Sequence, residues 1–530
     1  MKWKLWLVIV FCLAFSSLMA FAGSEAKGQD VSRKDTLVVV TGLEAKGMDP
    51  GFVNDGSSDM LLWAVYDQLC DYVPKKREDG RIYAYEIGPR LAKSWESSKD
   101  LKTHTFHLVQ NAKFTNGNRV DAHAVKYSLD RILKQKAGSS WMAKMNGIEL
   151  DSVKVIDDFT VQITTTKPTQ VLPQTLAIAE YCSILDPSVV EAHGGIVPGS
   201  PNEWLMQNAV GSGPYILEKW IPGDQIVLRA NPNYWRMKPR MKKVIIRPIT
   251  EVASRELMIK TGEADIAMQL LPKDLKRIGA LKGVEVIRTP SIETMYLGMN
   301  NAKKPWDDIN VRKAVAYSVP YNEIITNVLF GEAVRAFSGM NRDMQGYDPS
   351  FWKYDYDMDK AKQYLAKSNY PKGFEATFDL LTGYPEWETM ATIFKTNLSK
   401  LGIDLSIRKS DRPAWLDIVF KGNGDIFISR YTPYINDPGY FANVWWRCGH
   451  RSNHSKWCYP GFEEKIDSMM YELNPEVRVK KCAEMQKIFA EQVPWIPLYN
   501  PIYAHVQRDD IGGYVYYANK LLHYEYFFRK

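Results

Sequence analysis

The sequence predicts an α/β protein built from two or three domains, and three observations lead there. At 530 residues the chain is longer than one hydrophobic core can organise. Short stretches with a period of two alternate along it with stretches of helical period. Beyond the amino-terminal leader and its polar tail, no repeat, low-complexity tract or flexible linker appears. The domains are therefore expected to be knit together by structured crossovers.

The leader comes first. Lys2 and Lys4 precede an apolar run from Leu5 to Phe15, and Ala20-Phe21-Ala22 then offers a small-residue cleavage site before Gly23. Residues 1–22 read as a secretory signal cleaved near Ala22. The apolar run is short for a membrane span, and Cys12 follows Phe11, a poor context for lipid attachment. An exported, unanchored protein points to the periplasm. Removing Lys2 and Lys4 lowers the formal charge from +7 to +5. The lysines are dispersed along the chain, which favours solubility and argues against nucleic acid as a partner.

Export also bears on the cysteines that remain. Cys448 and Cys458 are close in sequence and expected to pair. Cys482 shares an apolar helical face with Met485 and Phe489 and reads as a buried free thiol. Whether Cys70 and Cys182 meet is open. Cys448, His450, His454 and Cys458 also have the residue types of a zinc site; the oxidising compartment favours the disulfide.

The clearest domain signal is a strand–helix–strand unit. Phe374, Ala376, Phe378 and Leu380 alternate in FEATFDLL. Met390, Ile393, Phe394 and Leu398 follow at helical spacing, with Gly402 as the stop, and Ile403, Leu405 and Ile407 alternate again. That order predicts a right-handed parallel crossover. Ligands of open α/β sheets bind beyond the carboxyl ends of such strands. Two aromatic stretches sit at predicted strand exits. One is Thr382-Gly383-Tyr384-Pro385. The other, SRYTPYINDPGYFANVWWRCGH (Ser429–His450), interleaves rings with Pro, Gly and Asn in the manner of a loop.

Enzymatic machinery is hard to find. There is no phosphate-binding GxxxxGK[ST]; Gly88-Pro89-Arg90-Leu91-Ala92-Lys93-Ser94 lacks the second glycine. Neither H-E-x-x-H nor G-x-S-x-G occurs. The acid pairs Asp157-Asp158 and Asp307-Asp308 read as turns or helix starts. No cofactor is expected.

Val210–Trp235, VGSGPYILEKWIPGDQIVLRANPNYW, resembles the signature of the family 5 extracellular solute-binding proteins, receptors of importers for peptides, nickel and oligosaccharides. Leu91–Ile132, Lys154–Pro168, Thr261–Ile266, Tyr296–Val319 and Trp457–Asp467 keep the family's order. The resemblance implies a two-lobed periplasmic binding protein fold with an extra subdomain, lobe one being discontinuous. Residues 31–70, 205–289 and 503–530 would form the core of lobe one, 71–204 its extra subdomain, and 290–502 lobe two, with crossovers near Pro290 and Pro501. It further implies a monomeric receptor closing on a peptide or peptide-like solute and handing it to a membrane permease with its ATPase. A receptor for an oligosaccharide, opine-like conjugate or metal chelate is the alternative, and an exported hydrolase the competing class.

The resemblance also supplies candidate site residues. The family pattern W-x-x-D-x-x-D-P falls on Tyr431 to Pro438, its first aspartate being the one that takes a peptide's α-ammonium in peptide-binding members. Here that position is Tyr434, while the second aspartate is kept as Asp437. Three readings follow: Asp437 reaches the amine, tyrosine rings hold it, or the ligand lacks a free amine. The last predicts that an amine-blocked ligand binds more tightly than a plain peptide. The arginine that dipeptide-type members carry near Thr382 is missing, leaving Arg430 or Arg447 for a ligand carboxylate. Tyr384 is similar to a cleft tyrosine of several members. Trp445 and Trp446 are adjacent and should point apart, so one of them at most meets ligand. Trp415 stands between core and cleft. Asn300 ends a strand-like segment where the lobes cross.

Overall fold

In a computed structural model, residues 33–530 are described apart from 54, 79 and 433; the expected leader and its cleavage site lie outside the described residues. One extended sheet runs through the molecule. Its strands, in spatial order, are Ile403–Ser410, Phe374–Leu381, Ile426–Tyr431, Thr294–Met299, Trp495–Arg508, Ile266–Ala267, Thr36–Thr41, Lys243–Pro248, Gln225–Ala230 and Tyr215–Ile221. Thr36–Thr41 is buried along its whole length and pairs in parallel with both neighbours, which explains its unbroken apolar run Leu37 to Val40.

The strand Trp495–Arg508 belongs to both halves of this sheet. Its first part pairs antiparallel with Thr294–Met299 and its last part with Val284–Pro290. The chain thus crosses at Ser291-Ile292-Glu293 and again within the long strand, where Ser291 N–H donates to the Pro501 carbonyl at 3.1 Å. Apolar packing follows the same division. One core is made of buried residues from Met295 to Tyr499. Others gather on the far side, around Leu37, Trp63 and Tyr524, and around Phe106, Leu129 and Val161. These two bodies are the lobes. They touch: Ile435, Tyr440 and Val444 of lobe two sit in the cluster that contains Leu69, Tyr72 and Cys182 of lobe one.

The predicted crossover is present. Phe374–Leu381 and Ile403–Ser410 pair in parallel, Phe374 opposite Ile403. Helix Pro385–Ser399 joins them, burying Trp387, Met390, Phe394 and Leu398. Gly402 follows with φ +77°, a left-handed turn that glycine adopts without a Cβ clash.

The stretch Ser429–His450 departs from the loop expected of it. The strand continues to Tyr431, a short turn follows, and Pro438–Trp445 is a helix. Asp437 is its N-cap, accepting from Tyr440 N–H at 2.9 Å, and Pro438 occupies the first turn where a missing N–H costs nothing. The rings cluster because a helix brings residues three and four apart onto one face: Phe441 and Trp445 stack with centroids 5.4 Å apart.

Cys448 and Cys458 form a disulfide, so their sulfurs are not available as metal ligands. Cys482 is a buried free thiol, 0% exposed, against Met340 and the carbonyls of Gln345 and Gly346; burial pushes it up to about 12. Cys70 and Cys182 are also buried and free.

Helix Gly56–Val65, which will matter for the site, is pinned by the residues that follow it. Asp67 is fully buried and accepts from Arg90 Nε at 2.7 Å, Ser212 Oγ at 2.9 Å, Tyr234 Oη at 3.1 Å and Trp235 Nε1 at 2.9 Å. The Arg90 guanidinium in turn lies 5.2 Å from the Trp63 ring centroid on that helix. Removing the carboxylate leaves buried Arg90 with only Asp71, 3.5 Å away, as a counter-charge and strands the Ser212, Tyr234 and Trp235 donors, at a cost of about 3–5 kcal/mol. Asp67→Ala is expected to lose about that much unfolding free energy, read as a lower urea midpoint with little change in the slope. A midpoint unchanged by circular dichroism contradicts the pin.

Candidate functional site

The floor of the interlobe space is a charged joint. Glu293, 4% exposed, lies between the two crossing strands. Lys520 Nζ from lobe one stands 2.9 Å from one of its carboxylate oxygens. From lobe two, Thr432 Oγ1 donates to the other at 2.6 Å and Arg430 Nε lies 3.8 Å away. Burial alone would raise the Glu293 pKa; the charges of Lys520 and Arg430 and the Thr432 hydroxyl outweigh it and lower the value.

Arg430 is only loosely held there. Its guanidinium makes no hydrogen bond among the described residues, its side chain is 43% exposed, and it lies 5.6 Å from the Tyr384 ring centroid. Tyr384 itself is half-buried and stacks on Trp387 at 4.4 Å. Cation, ring and free N–H donors together suit a carboxylate or another planar acceptor.

A small recess with a cavity volume of about 30 Å³ lies between the lobes, lined by Asp59, Trp63, Tyr72, Glu180, Tyr434 and Asn519, among others. Tyr434 is the lobe-two contribution. It keeps 37% of its surface exposed, its ring packs edge-on to Trp141 at 6.1 Å, and its carbonyl accepts from Tyr72 Oη at 3.2 Å. The Glu180 carboxylate, then burial, holds its phenol well above the usual range. Glu180 is 5% exposed, and Asp59 is its close neighbour. Burial first pushes both carboxyls up; the Glu180 charge and hydrogen bond then raise Asp59 further, while on Glu180 the hydrogen bond from Asp59 lowers and the Asp55 charge raises.

Several residues expected at the site are instead committed within lobe two. Tyr431 is 1% exposed, with its hydroxyl bonded to the Gly339 carbonyl and its ring against Phe441, Trp445 and Trp495. Asp437 caps its helix and holds Arg478 through two bonds of 2.7 and 2.8 Å, so it does not serve as a free carboxylate for an amine. Asn300 directs its amide at the carbonyls of Gly422 and Gly424. Trp415 packs in the core beside Phe427 and His454. Arg447 is held by Asn443, Glu463 and Asp467. Trp445 and Trp446 do diverge: Trp446 is buried on Phe489, while Trp445 is half-buried at the margin of both lobes' cores.

Sequence reasoning overlooked Asp59, Glu180, Glu293 and Lys520. Glu293 carried a signal, being one acid inside the apolar run from Ile292 to Met299. Asp59 and Glu180 each sit in a helix's first turn, where an acid looks like ordinary capping. Among the described residues no group of three or more His, Cys, Asp or Glu side chains is arranged to hold a metal ion, and no helix is long and apolar enough to cross a membrane.

Comparison with known proteins agrees with this architecture. A sequence profile of the bacterial extracellular solute-binding proteins, family 5, matches residues 86–453. The probable D,D-dipeptide-binding periplasmic protein DdpA of Escherichia coli K12 is 30% identical over 486 residues, covering 91% of this chain and 92% of its own. Among solved structures, the periplasmic binding protein DppA of Helicobacter pylori, in complex with the peptide STSA, superposes with a TM-score of 0.78 at 23% identity, covering 93% of this chain and 98% of its own. The binding protein AgaA of A. tumefaciens R10, in complex with agropinic acid, gives 0.76 at 24% identity, covering 93% and 99%. At these identities the structural matches speak for the fold.

The joint at Glu293 has a pH signature. Because its folded value is lowered, the stability it contributes is whole above the ordinary glutamate value of 4.5 and is lost as pH falls through the lowered one. Glu293→Gln is expected to be less stable near neutrality by roughly 1.5–3 kcal/mol, the scale of a charge-assisted hydrogen bond. Melting curves of the two proteins should converge in acid; a constant gap at every pH contradicts the assignment.

Proposed function

The chain belongs to the bacterial extracellular solute-binding proteins of family 5, and on that premise we propose that it is the periplasmic substrate-binding component of an ABC importer. It captures a dipeptide or a similarly small peptide-like solute between its lobes, as a monomer, and delivers it unaltered to a membrane permease driven by an ATPase. The observation that carries this reading is the recess lined from both lobes, in a molecule whose halves are joined by two crossing strands. Such a joint lets the lobes rotate, and a solute that binds the closed form better than the open one shifts the balance toward closure.

We assign residues 31–70, 205–289 and 503–530 to the core of lobe one, 71–204 to its extra subdomain and 290–502 to lobe two; the apolar core confined to Met295–Tyr499 supports this division. Export from Met1–Ala22 would place the protein in the periplasm, where the family's permeases are reached. Within the site, Tyr434, Tyr384 and Trp445 supply ring surface at low side-chain entropy cost, and Arg430 receives the ligand's carboxylate. Tyr431, Asp437, Asn300 and Trp415 hold the wall in shape.

Incubation with D-alanyl-D-alanine and with its L,L counterpart is expected to change tryptophan emission, reduce the radius of gyration in solution scattering, and leave the peptide intact by mass spectrometry. Turnover of the peptide contradicts a receptor. Arg430→Ala, or amidation of the peptide's carboxyl end, should each weaken calorimetric binding at least tenfold, in line with about 1.5–3 kcal/mol for a charged hydrogen bond. Unchanged affinity in both removes Arg430 from the site.

A further inference from the structure

Two carboxylates without a cation stand in the recess. Among the described residues, no lysine, arginine or histidine pairs with Asp59 or Glu180, and Asp59 Oδ1 is buried without a hydrogen-bond partner. Glu180 is 95% shielded from solvent and still lines the empty space. Asp55, on the same helix terminus, adds a third negative charge and is itself committed to the Ser58 backbone and hydroxyl at 2.9 and 2.7 Å. Buried carboxylates lacking a counter-charge are costly, and natural folds seldom keep one for packing alone. The other faces of the recess are rings: Trp63 and Tyr72 from lobe one and Tyr434 from lobe two. Acid floor and aromatic wall together form the chemical complement of an organic cation.

We propose that this recess is the subsite for a positively charged group of the ligand, an ammonium or guanidinium, bound by Glu180 and Asp59 and faced by Trp63, Tyr72 and Tyr434. The inference rests on the receptor reading above and deepens it. It also reverses the expectation drawn from Tyr434: the carboxylate absent from lobe two is supplied by lobe one, from directly across the closing gap. Tyr434 then sits where an acid would crowd Glu180 and Asp59 with a third like charge. Asp59 and Glu180 are close enough to share a hydrogen bond, and burial raises both, so without a cation the pair favours retaining a proton. An entering cation takes that proton's place and releases it to solvent. Affinity should therefore fall as pH falls.

The test pairs D-alanyl-D-alanine and L-alanyl-L-alanine with their N-acetyl forms, adds putrescine as a non-peptide cation, and measures binding by calorimetry in two buffers of different ionisation enthalpy. The expected result is at least tenfold tighter binding of a free-amine dipeptide than of its acetylated form. Proton release should accompany it, and the difference should vanish in Glu180→Gln. Asp59→Asn serves as the second variant, and melting curves of both establish that they fold. Equal binding of the free and acetylated forms, or wild-type affinity for the free amine in both variants, overturns the subsite and leaves the receptor reading standing. Binding of putrescine alone, lost in Glu180→Gln, sustains the subsite and removes the dipeptide reading. Failure of every cation in the set to bind overturns it.

Discussion

The strand Trp495–Arg508 is the constraint on which the molecule turns. A strand paired on both sides cannot slide without shifting every side chain to the wrong face, so the lobes are unable to shear past one another along it. What remains is bending where the ladder is weakest. On this side that place is Ser291 to Glu293 opposite Asn500 and Pro501, where the Ser291 N–H bond to the Pro501 carbonyl is joined by the Asn500 amide, which donates to the Glu293 carbonyl and Thr294 Oγ1 at 2.8 Å each; Ala333–Arg335 pairs with Tyr499–Pro501 on the other side. Proline at 501 removes one backbone donor at the same level. Both crossings lie at one height; a rotation there would change the spacing of the two cleft walls and would part Ile435, Tyr440 and Val444 from Leu69 and Tyr72.

The charges along those walls are unevenly distributed. Arg430 and Lys520 stand at the joint around Glu293, whereas Asp59 and Glu180 line the recess with Asp55 close behind them. A dipolar solute with an anionic and a cationic end would be oriented by this arrangement before any shape matching, and in a water-poor gap the preference is larger than on an open surface. The rings of Trp63, Tyr72 and Tyr434 in the recess and of Tyr384 beside Arg430 supply contact area and are indifferent to which side chains the solute carries. Orientation by charge and tolerance by aromatic surface are compatible properties for a receptor of small polar nutrients.

Much of the fold was legible because it is local. Phe374–Leu381, the helix after it and Ile403–Ser410 obey their periods, and a strand–helix–strand order leaves little choice of topology. The disulfide followed from sequence separation and compartment, and the Cys482 thiol from its helical face. The helix at Pro438–Trp445 was hidden by Gly439 and Asn443, which read as loop, although Asp437-Pro438 is a strong start signal. Tyr431 looked like a cleft residue from its place in a motif, yet its place at the strand's end turns it inward onto Phe441 and Trp495. Asp59 and Glu180 were illegible for a different reason: each is unremarkable alone, and only the packing of helix Gly56–Val65 on the turn Ala179–Cys182 makes them a pair.

The return of the chain to lobe one has a consequence for the order in which the protein is made. Ile266–Ala267 needs Val506 and Gln507 as its neighbours, Tyr83 and Ala84 need Tyr516 and Tyr517, and Asp265 is clasped by Arg33 from one end of the chain and Arg529 from the other. Residues 294–499 can assemble as soon as they emerge. The body that begins synthesis first is therefore the one completed last, and its sheet edge waits unpaired until the final thirty or so residues arrive. A frameshift or nick near the carboxyl terminus would strike the amino-terminal lobe hardest.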